Sequence, residues 1–464
     1  MTTPIDSRSI DSLPVRPLPD ELLRFARDEC ARLQVPGTAI GVLHDRAIYA
    51  GGVGVTSVDN PLPITAHTLF QTGSTSKTVT ATALMQLVEE GALDLDARVR
   101  AYLPTFRLQS EEDAARITVR DLVTHHSGYV GDYFRDTGRG DDAMARIVAK
   151  MSNSPQLVPA GTTFSYSNAA FYVLAHIVET VRGVPFEYVV RDRIFAPLEM
   201  HESFYFPEEC LGFRCAIGHT VTAAGPRAEK RWYLWRSGGG ASAVISNAIE
   251  QMKYAALHVG AIDAPDVLGA ASIARMQTES RPAGSMCERI GLSWMLDDAG
   301  RGHRLVKHGG SIAGMLSSFE LIPALGFAVT VLTNADAGRE SRQTIADRCQ
   351  EYFVGFGKPA LPQPIAVANL AEYEGEYQAA LEHLDVRVDG AHLLVTGTPP
   401  PRFVVDPERV PLPRPPAQLS FVGRDAAAVL TGPRRGERVE FLRDADGRIE
   451  WLRWDGRLAR KHAV

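Results

Sequence analysis

Residues 70–77 of this 464-residue chain read FQTGSTSK, a stretch in which Ser74 precedes Lys77 by three positions. Apolar residues recur after it at helical spacing, and Gly91 follows as a C-cap, so we predict a helix over about 74–90. Residues three apart lie on one face of a helix, which brings the hydroxyl and the amine within hydrogen-bond reach. An amine in that position can activate a serine as a nucleophile.

The Ser-x-x-Lys spacing is weak evidence when it stands alone. With 25 serines and 7 lysines in the chain, about 0.4 such pairs are expected by chance. A serine that caps the helix beside a solvent-exposed lysine is the structural alternative. The motif therefore indicates a catalytic site only in combination with other segments of the chain.

The composition is typical of a soluble globular protein with two or three domains, because 45% of the residues are hydrophobic and 22% are charged. The net charge of -6 and the lack of a basic run argue against a nucleic-acid partner. Five scattered cysteines without zinc spacing predict free thiols and no metal, and we expect no cofactor. Residues 1–20 lack the apolar core of a signal peptide or membrane anchor, which predicts a cytoplasmic location.

The order of predicted elements indicates an α+β fold with an all-β tail. We expect a flexible lead-in over residues 1–20, and then one domain over 21–356 whose sheet is assembled from strands at both of its ends. Residues 357–366 form a proline-rich linker. Residues 367–464 combine short alternating runs with Asp-Gly turns, which favours a small antiparallel sheet or barrel.

Two further segments could complete a Ser-Lys acyl-transfer site. Residues 164–169 read FSYSNA, where Tyr166 could transfer a proton and Asn168 could bind an amide; a packed tyrosine is the alternative. Residues 307–311 read KHGGS at the start of a strand. Its glycines allow a substrate to approach a main-chain N–H that could bind an oxyanion, whereas a plain β-turn is the alternative.

A fourth segment, ITVRDLVTHHSG at residues 117–128, looks like a capped helix that runs into a turn. In order and spacing the four segments together resemble the serine β-lactamase and penicillin-binding-protein-like superfamily. They are most similar to its class C β-lactamase-like group, which contains family VIII esterases and D-aminopeptidases. The resemblance covers roughly residues 20–355, and the tail resembles the lipocalin-like domain of several members. It implies a β-lactamase/transpeptidase-like antiparallel sheet flanked by helices, an all-helical subdomain and a C-terminal antiparallel barrel.

This resemblance implies a role for each matching residue. Ser74 would be acylated, Lys77 would accept or relay its proton, Tyr166 would act with Lys77 as general base, and Asn168 would hold the amide of the substrate. His308 would belong to the catalytic set as the first residue of a His-x-Gly motif that replaces Lys-Thr-Gly.

The same motif implies substrate contacts from Gly309, Gly310 and Ser311, and an oxyanion hole made of the N–H groups of Ser74 and Ser311. A histidine is nearly neutral at pH 7 and binds a carboxylate more weakly than lysine does. Lys307 lies next to His308 on a strand and should face the other side. We therefore expect reduced suitability for ordinary β-lactam hydrolysis.

Three more residues are candidates for substrate binding. Trp235 and Gly239 lie in an aromatic and glycine-rich stretch that could form a loop at the cleft wall, although packing of that stretch is an equal alternative. In the tail, Arg457 and Arg460 lie near a final strand. We assign Arg460 to substrate binding, with a solvated surface position as the alternative for both arginines.

The leading functional hypothesis is a serine acyl-enzyme hydrolase or acyltransferase that acts on ester, thioester or amide bonds of a peptide-like substrate. The first alternative is a penicillin-binding-protein-type thioesterase, which receives a carrier-bound peptidyl thioester and cyclises a nonribosomal peptide with a D-configured C-terminal residue. The second alternative is a non-catalytic acyl-binding module. No membrane partner is expected, and the oligomeric state is open.

Overall fold

The structure, a computed structural model, describes residues 9–10, 13–232, 235–356, 363–398 and 415–462. It contains an N-terminal α+β part and a C-terminal barrel. The strands of the α+β part are β1 (Val15–Pro17), β2 (Gly37–His44), β3 (Ala47–Gly54), β4 (Phe70–Gln71), β5 (His219–Thr222), β6 (Gly225–Ala228), β7 (Ile245–Ser246), β8 (Arg281–Pro282), β9 (Arg289–Ile290), β10 (Met295–Gly300), β11 (His303–Ile312), β12 (Met315–Ile322) and β13 (Phe327–Thr333).

Nine of these strands form one sheet within the described ranges, in the order β1-β3-β2-β13-β12-β11-β10-β9-β8. Strand β1 pairs in parallel with β3, and the other neighbours pair antiparallel. The late strand β13 lies beside the early strand β2, with Val331 opposite Ile40. The prediction that both ends of this part supply the sheet is therefore confirmed.

The helices pack on both faces of the sheet and fill the region between its early and late strands. They are α1 (Asp20–Arg32), α2 (Ser76–Glu89), α3 (Val99–Tyr102), α4 (Glu111–Arg116), α5 (Val119–Val123), α6 (Ala143–Lys150), α7 (Asn168–Arg182), α8 (Phe186–Val190), α9 (Gly239–Ser242), α10 (Ala248–His258), α11 (Ala270–Thr278) and α12 (Gly338–Val354).

The alternation of side chains along β2 divides the core into two layers. Ile40 and Val42 join a cluster that contains Leu22 of α1 and Ile345 of α12. Leu43 points the other way, into the large cluster formed with the central helices. The sheet thus lies between the α1–α12 pair and the helical region that contains α2.

Helix α2 is the central helix of the molecule, because residues 76–87 are all buried. Its polar side chains have partners in that setting: Thr80 Oγ1 donates to the Gly240 carbonyl at 2.6 Å, and Thr82 Oγ1 lies 2.8 Å from Tyr254 Oη. A buried helix with satisfied polar groups is held rigidly. The residues at its start are positioned with the same rigidity.

The barrel is built from β14 (Gly375–Gln378), β15 (His383–Asp389), β16 (His392–Thr398), β17 (Ala417–Gly423), β18 (Ala426–Val429), β19 (Arg438–Arg443), β20 (Ile449–Trp454) and β21 (Arg457–Lys461). As far as the chain is described, these strands form one closed barrel, and the pair Tyr377 and Lys461 joins its first and last strands. Buried side chains such as Leu384, Leu419 and Phe441 fill its interior.

Polar contacts join the barrel to the α+β part. Arg438 Nη2 lies 3.1 Å from Asp297 Oδ1, and Arg453 Nε donates to the Phe164 carbonyl at 3.2 Å. The Arg457 contact with the α+β part belongs to the site described below.

The predicted α+β fold followed by an antiparallel barrel is confirmed. The flexible lead-in predicted for residues 1–20 needs correction, because Val15–Pro17 forms β1 and Leu18 is buried against the sheet. Residues 357–362 of the predicted linker lie outside the described residues. None of the described helices combines the length and the apolar character needed to cross a bilayer.

Candidate active site

Ser74 and Lys77 meet at the start of α2, as the sequence predicts. A single 3-10 turn, Gly73–Thr75, leads into the helix, and Lys77 Nζ lies 3.1 Å from Ser74 Oγ. Gly73 has a φ of 57°, and a Cβ there would lie 2.7 Å from the Ser311 nitrogen. Only glycine combines this backbone conformation with such a close approach of β11.

The Lys77 amine is fully buried in a cradle of oxygen atoms. Besides Ser74 Oγ, it donates to Asn168 Oδ1 at 2.7 Å and to the Ala241 carbonyl at 2.9 Å. Burial lowers the pKa of Lys77 well below its ordinary value; the charge of Arg457 lowers it further, whereas Asp132 raises it. A neutral amine can keep both donations to carbonyl oxygens and use its lone pair to accept the Ser74 proton.

Tyr166 approaches the same serine from the loop before α7. Burial raises the pKa of Tyr166 above its ordinary value, whereas the nearby Ser74 side chain lowers it. Lys77 Nζ lies 5.0 Å from the centre of the Tyr166 ring. The serine hydroxyl therefore has two possible proton partners, an amine and a phenol.

The His125 ring packs against the ring of Tyr166. The two rings stack with their centres 4.5 Å apart, and His125 Nδ1 accepts the backbone N–H of Ser167 at 3.0 Å. His125 also has a positive φ of 58°, which is unusual for a residue other than glycine. The sequence shows only two adjacent histidines here, and no local signal distinguishes a supporting ring from a packed one.

Asn168 connects Lys77 to a buried carboxylate. Its Oδ1 accepts from Lys77, and its Nδ2 donates to Asp132 Oδ1 at 2.7 Å. Asn168 is predicted to bind a substrate amide, but in this structure its side chain is already hydrogen-bonded to Lys77 and Asp132. Asp132 is only 4% exposed, so its charge requires a cationic partner.

Arg457, at the start of β21, provides that cation from the barrel. Its Nε lies 2.6 Å from Asp132 Oδ2, and its guanidinium carbon lies 4.9 Å from the centre of the Tyr166 ring. In the same segment, the Gly456 carbonyl accepts the backbone N–H of Tyr166 at 2.8 Å. The barrel thus contributes directly to the surroundings of Tyr166.

The structure does not bring Arg460 into this cluster. Its side chain is 68% exposed and lies 3.3 Å from Glu450, above the ring of Trp451. Residues three apart on a strand face opposite sides. Arg457 and Arg460 therefore cannot both face the α+β part.

Strand β11 places His308 beside Tyr166, with ring centres 6.3 Å apart. His308 Nδ1 lies 2.8 Å from the Gly309 carbonyl, which assigns the proton to Nδ1 and leaves Nε2 as an acceptor. Nε2 is buried and has no hydrogen-bond partner within the described residues. Burial, together with the charge of Lys77, lowers the pKa of His308 to about 3. Lys307 turns away and lies 2.7 Å from Asp297, as predicted.

Gly310 and Ser311 face the turn that carries Ser74. A Cβ at Gly310 would lie 1.9 Å from the Thr72 carbonyl and 3.0 Å from the Ser74 nitrogen. Together with the approach of Gly73 to Ser311, this places the two predicted oxyanion-binding N–H groups on neighbouring segments. A side chain at position 310 would separate them.

The loop that contains Trp235 and Gly239 contributes differently from the prediction. Trp235 packs against Phe134 with ring centres 6.2 Å apart. The Cα of Gly239 faces Met144 and Glu187 instead of Lys77. The group from this loop that reaches the site is the carbonyl of Ala241, and no side-chain motif reports a backbone contact of this kind.

Comparisons with known proteins identify the family of the chain. A family model described as Beta-lactamase matches residues 24–351, so the chain belongs to the beta-lactamase family, whose members include penicillin-binding proteins and are serine hydrolases. Penicillin-binding protein 4 of Amycolatopsis lactamdurans is 36% identical over 365 residues, which cover 74% of this chain and 94% of that protein. The unguisins hydrolase ungD' of Aspergillus campestris (strain IBT 28561) is 29% identical over 68% of this chain and 62% of that protein.

A solved structure, that of SurE, resembles this chain across both parts. It superposes with a TM-score of 0.74 at 24% identity and covers 96% of this chain and 99% of SurE. At that identity the similarity shows the fold alone. The fold includes the barrel, because the aligned region extends far beyond the residues matched by the family model.

The ion pair between Asp132 and Arg457 predicts a stability effect that Arg460 should not share. Arg457→Met leaves a carboxylate buried without its cation, so we expect the free energy of unfolding to fall by about 3–5 kcal/mol in denaturant titrations. Arg460→Met is the matched control, and it should change the free energy by less than about 1 kcal/mol. The double variant Asp132→Asn/Arg457→Met should recover part of the loss, whereas equal losses for the two single arginine variants would contradict this account.

Proposed function

We propose that the protein is a serine acyl-enzyme hydrolase or acyltransferase that acts on ester, thioester or amide bonds of a peptide-like substrate. The observation that carries this proposal is the convergence of a buried amine and a phenol on one serine hydroxyl. Lys77 Nζ lies 3.1 Å from Ser74 Oγ, and the Ser74 side chain is close enough to the Tyr166 phenol to lower its pKa. A non-catalytic acyl-binding module would not need a desolvated amine beside its serine.

In the proposed reaction, Ser74 Oγ attacks the substrate carbonyl while its proton passes to neutral Lys77. The lowered pKa of Lys77 favours the unprotonated amine that this step requires. The N–H groups of Ser74 and Ser311 bind the oxyanion of the tetrahedral intermediate. Tyr166 then donates its phenolic proton to the leaving group and is reprotonated by Lys77. In deacylation, Tyr166 passes a proton from the acceptor to Lys77, which returns a proton to Ser74 Oγ as the acyl group leaves.

The charge distribution favours a peptide-like substrate over a β-lactam. His308 is neutral because burial lowers its pKa to about 3, so it offers a hydrogen-bond acceptor in place of the lysine cation of the Lys-Thr-Gly motif. Of the two nearby cations, Arg457 is paired with Asp132, and Arg342 donates to the Gly310 and Ser317 carbonyls. SurE, which shares the fold, has been solved with D-Leu, which supports a D-residue in the substrate, and the relative ungD' is named as a hydrolase of unguisins, which supports hydrolysis.

Acylation of Ser74 can be tested by intact-mass spectrometry after incubation with a fluorophosphonate. We expect one adduct on the wild-type protein and none on Ser74→Ala, because the activated hydroxyl is the nucleophile. Ser76→Ala is the matched control: it removes the neighbouring hydroxyl that hydrogen-bonds to the Gly73 carbonyl and should retain the label. An unlabelled wild-type protein, or equal labelling of Ser74→Ala, would refute the proposal.

The pH dependence of acylation should respond in opposite directions to the two charges behind the site. Asp132 raises the pKa of both Lys77 and Tyr166, and Arg457 lowers both. The acid limb of the acylation rate reports the protonation of the base, whichever of the two groups acts. We expect the limb to move to lower pH in Asp132→Asn and to higher pH in Arg457→Gln.

Stopped-flow acylation with a p-nitrophenyl ester between pH 4 and pH 9 measures these profiles. Arg460→Gln is the control and should leave the profile of the wild-type protein unchanged. Shifts in the same direction for Asp132→Asn and Arg457→Gln would show that these charges do not govern the base.

A second candidate function is cyclisation, in which the acceptor is an amine of the same peptide. The observation that favours it is the closed C-terminal barrel, which contributes Arg457 to the site and resembles the lipocalin-like tail that penicillin-binding-protein-type thioesterases combine with a catalytic domain of this kind. A peptidyl thioester that ends in a D-residue distinguishes the two acceptors by product mass. We expect a mass equal to the free acid for hydrolysis, and a mass lower by one water for cyclisation.

The stereochemical part of the proposal is tested with the same assay. The matched thioester that ends in the L-residue should be turned over more slowly than the D-form. Equal turnover of the two isomers would remove the D-residue from the proposed substrate, while acylation of Ser74 would be unaffected.

A further inference from the structure

Arg342 of α12 makes contacts unlike those of the surface arginines. Its Nη1 donates to the Gly310 carbonyl at 2.8 Å and also to the Ser317 carbonyl, which belongs to the residue paired with Gly310 across β11 and β12. Within the part of the chain that the structure describes, no carboxylate lies within ion-pair distance of this guanidinium. Burial lowers the pKa of Arg342 to about 10, so the side chain remains cationic at pH 7.

The Gly310 carbonyl and the Ser311 N–H belong to the same peptide group. Because a peptide group is planar, a donor that holds its oxygen also fixes the direction of its N–H. A cation on the oxygen polarises the group and strengthens the N–H as a hydrogen-bond donor. Arg342 therefore acts on the N–H that is proposed to bind the oxyanion, from the side opposite the substrate.

Ser317 makes two further side-chain contacts, and α12 contacts the barrel. Ser317 Oγ donates to the Thr72 carbonyl at 2.8 Å and lies 2.8 Å from Thr75 Oγ1, which ties β12 to the turn that carries Ser74. On α12, Arg339 lies one turn before Arg342 and 3.0 Å from Glu437 of the barrel. A Cβ at Gly309 would lie 3.5 Å from Arg342 Nη1, which is ordinary contact distance, so the guanidinium lies beside this residue of β11.

We infer that Arg342 is a positioning residue for the oxyanion-binding N–H of Ser311. This inference rests on the proposed acylation of Ser74. It assigns Arg342 no contact with the substrate. The charge of Arg342 should therefore matter for the tetrahedral intermediate and not for the bound substrate.

The test compares Arg342→Met, Arg342→Gln and Arg342→Lys with Arg339→Met, a matched control on the same helix. Three quantities are measured for each: the acylation rate with a p-nitrophenyl ester, the KM of that ester, and inhibition by a phenylboronic acid. The boronic acid forms a tetrahedral anionic adduct on serine and so resembles the intermediate. We expect Arg342→Met to acylate about 10- to 100-fold more slowly with little change in KM, and to bind the boronic acid more weakly by a similar factor.

Arg342→Lys should retain more of the acylation rate than Arg342→Gln, because it keeps the positive charge. This comparison also serves if Arg342→Met does not fold. Arg339→Met should acylate at close to the wild-type rate, and melting temperatures identify any variant whose loss is general.

Two results would overturn the inference while wild-type Ser74 is still acylated. One is an unchanged acylation rate in Arg342→Met, and the other is a higher KM in that variant with unchanged boronic acid binding. A rate for Arg342→Gln equal to or above that of Arg342→Lys would exclude the role of the charge. If the wild-type protein is not acylated at all, the proposed function fails first, and the two failures are thereby distinguished.

Discussion

The burial of one lysine amine imposes the strongest constraint on this structure. Lys77 is removed from water, so its nitrogen must find polar partners inside the protein. Three separate elements supply them: the turn before α2 through Ser74, the start of α7 through Asn168 and the short helix α9 through Ala241. The hydrogen bonds to this amine therefore also hold these three elements around Ser74.

The same constraint extends to the barrel. The amide of Asn168 connects Lys77 to Asp132, and the buried carboxylate of Asp132 is compensated by Arg457. The chain separation between Asp132 and Arg457 is 325 residues, yet the two charges oppose each other in setting the pKa of Lys77. The barrel is therefore part of the electrostatic environment of the serine. It also contacts α12, whose Arg342 holds the peptide group of Gly310 and Ser311 from behind.

The residues that the sequence identifies are those that belong to local patterns. Ser74 and Lys77 share one helix, and the motifs around Tyr166 and His308 keep an order that a family resemblance can recognise. Asp132, Arg342 and the carbonyl of Ala241 lie in no motif, because their roles arise from contacts between segments far apart in the chain. The assignment of Arg460 to substrate binding, instead of Arg457 to the site, has a related cause. Residues 451–454 of the neighbouring strand β20 are all buried, so the sequence there does not alternate between buried and exposed residues and does not show which face is outside.

A crystal structure of the protein after reaction with a peptidyl fluorophosphonate tests most directly whether Ser74 is the nucleophile and whether the N–H groups of Ser74 and Ser311 bind the oxyanion. We predict a phosphonyl group on Ser74 Oγ, with one of its oxygens within hydrogen-bond distance of the backbone nitrogens of Ser74 and Ser311. Lys77 Nζ should remain among Ser74, Asn168 and the Ala241 carbonyl. A phosphonyl group attached to another residue, or one whose oxygen points away from these two nitrogens, would contradict the account.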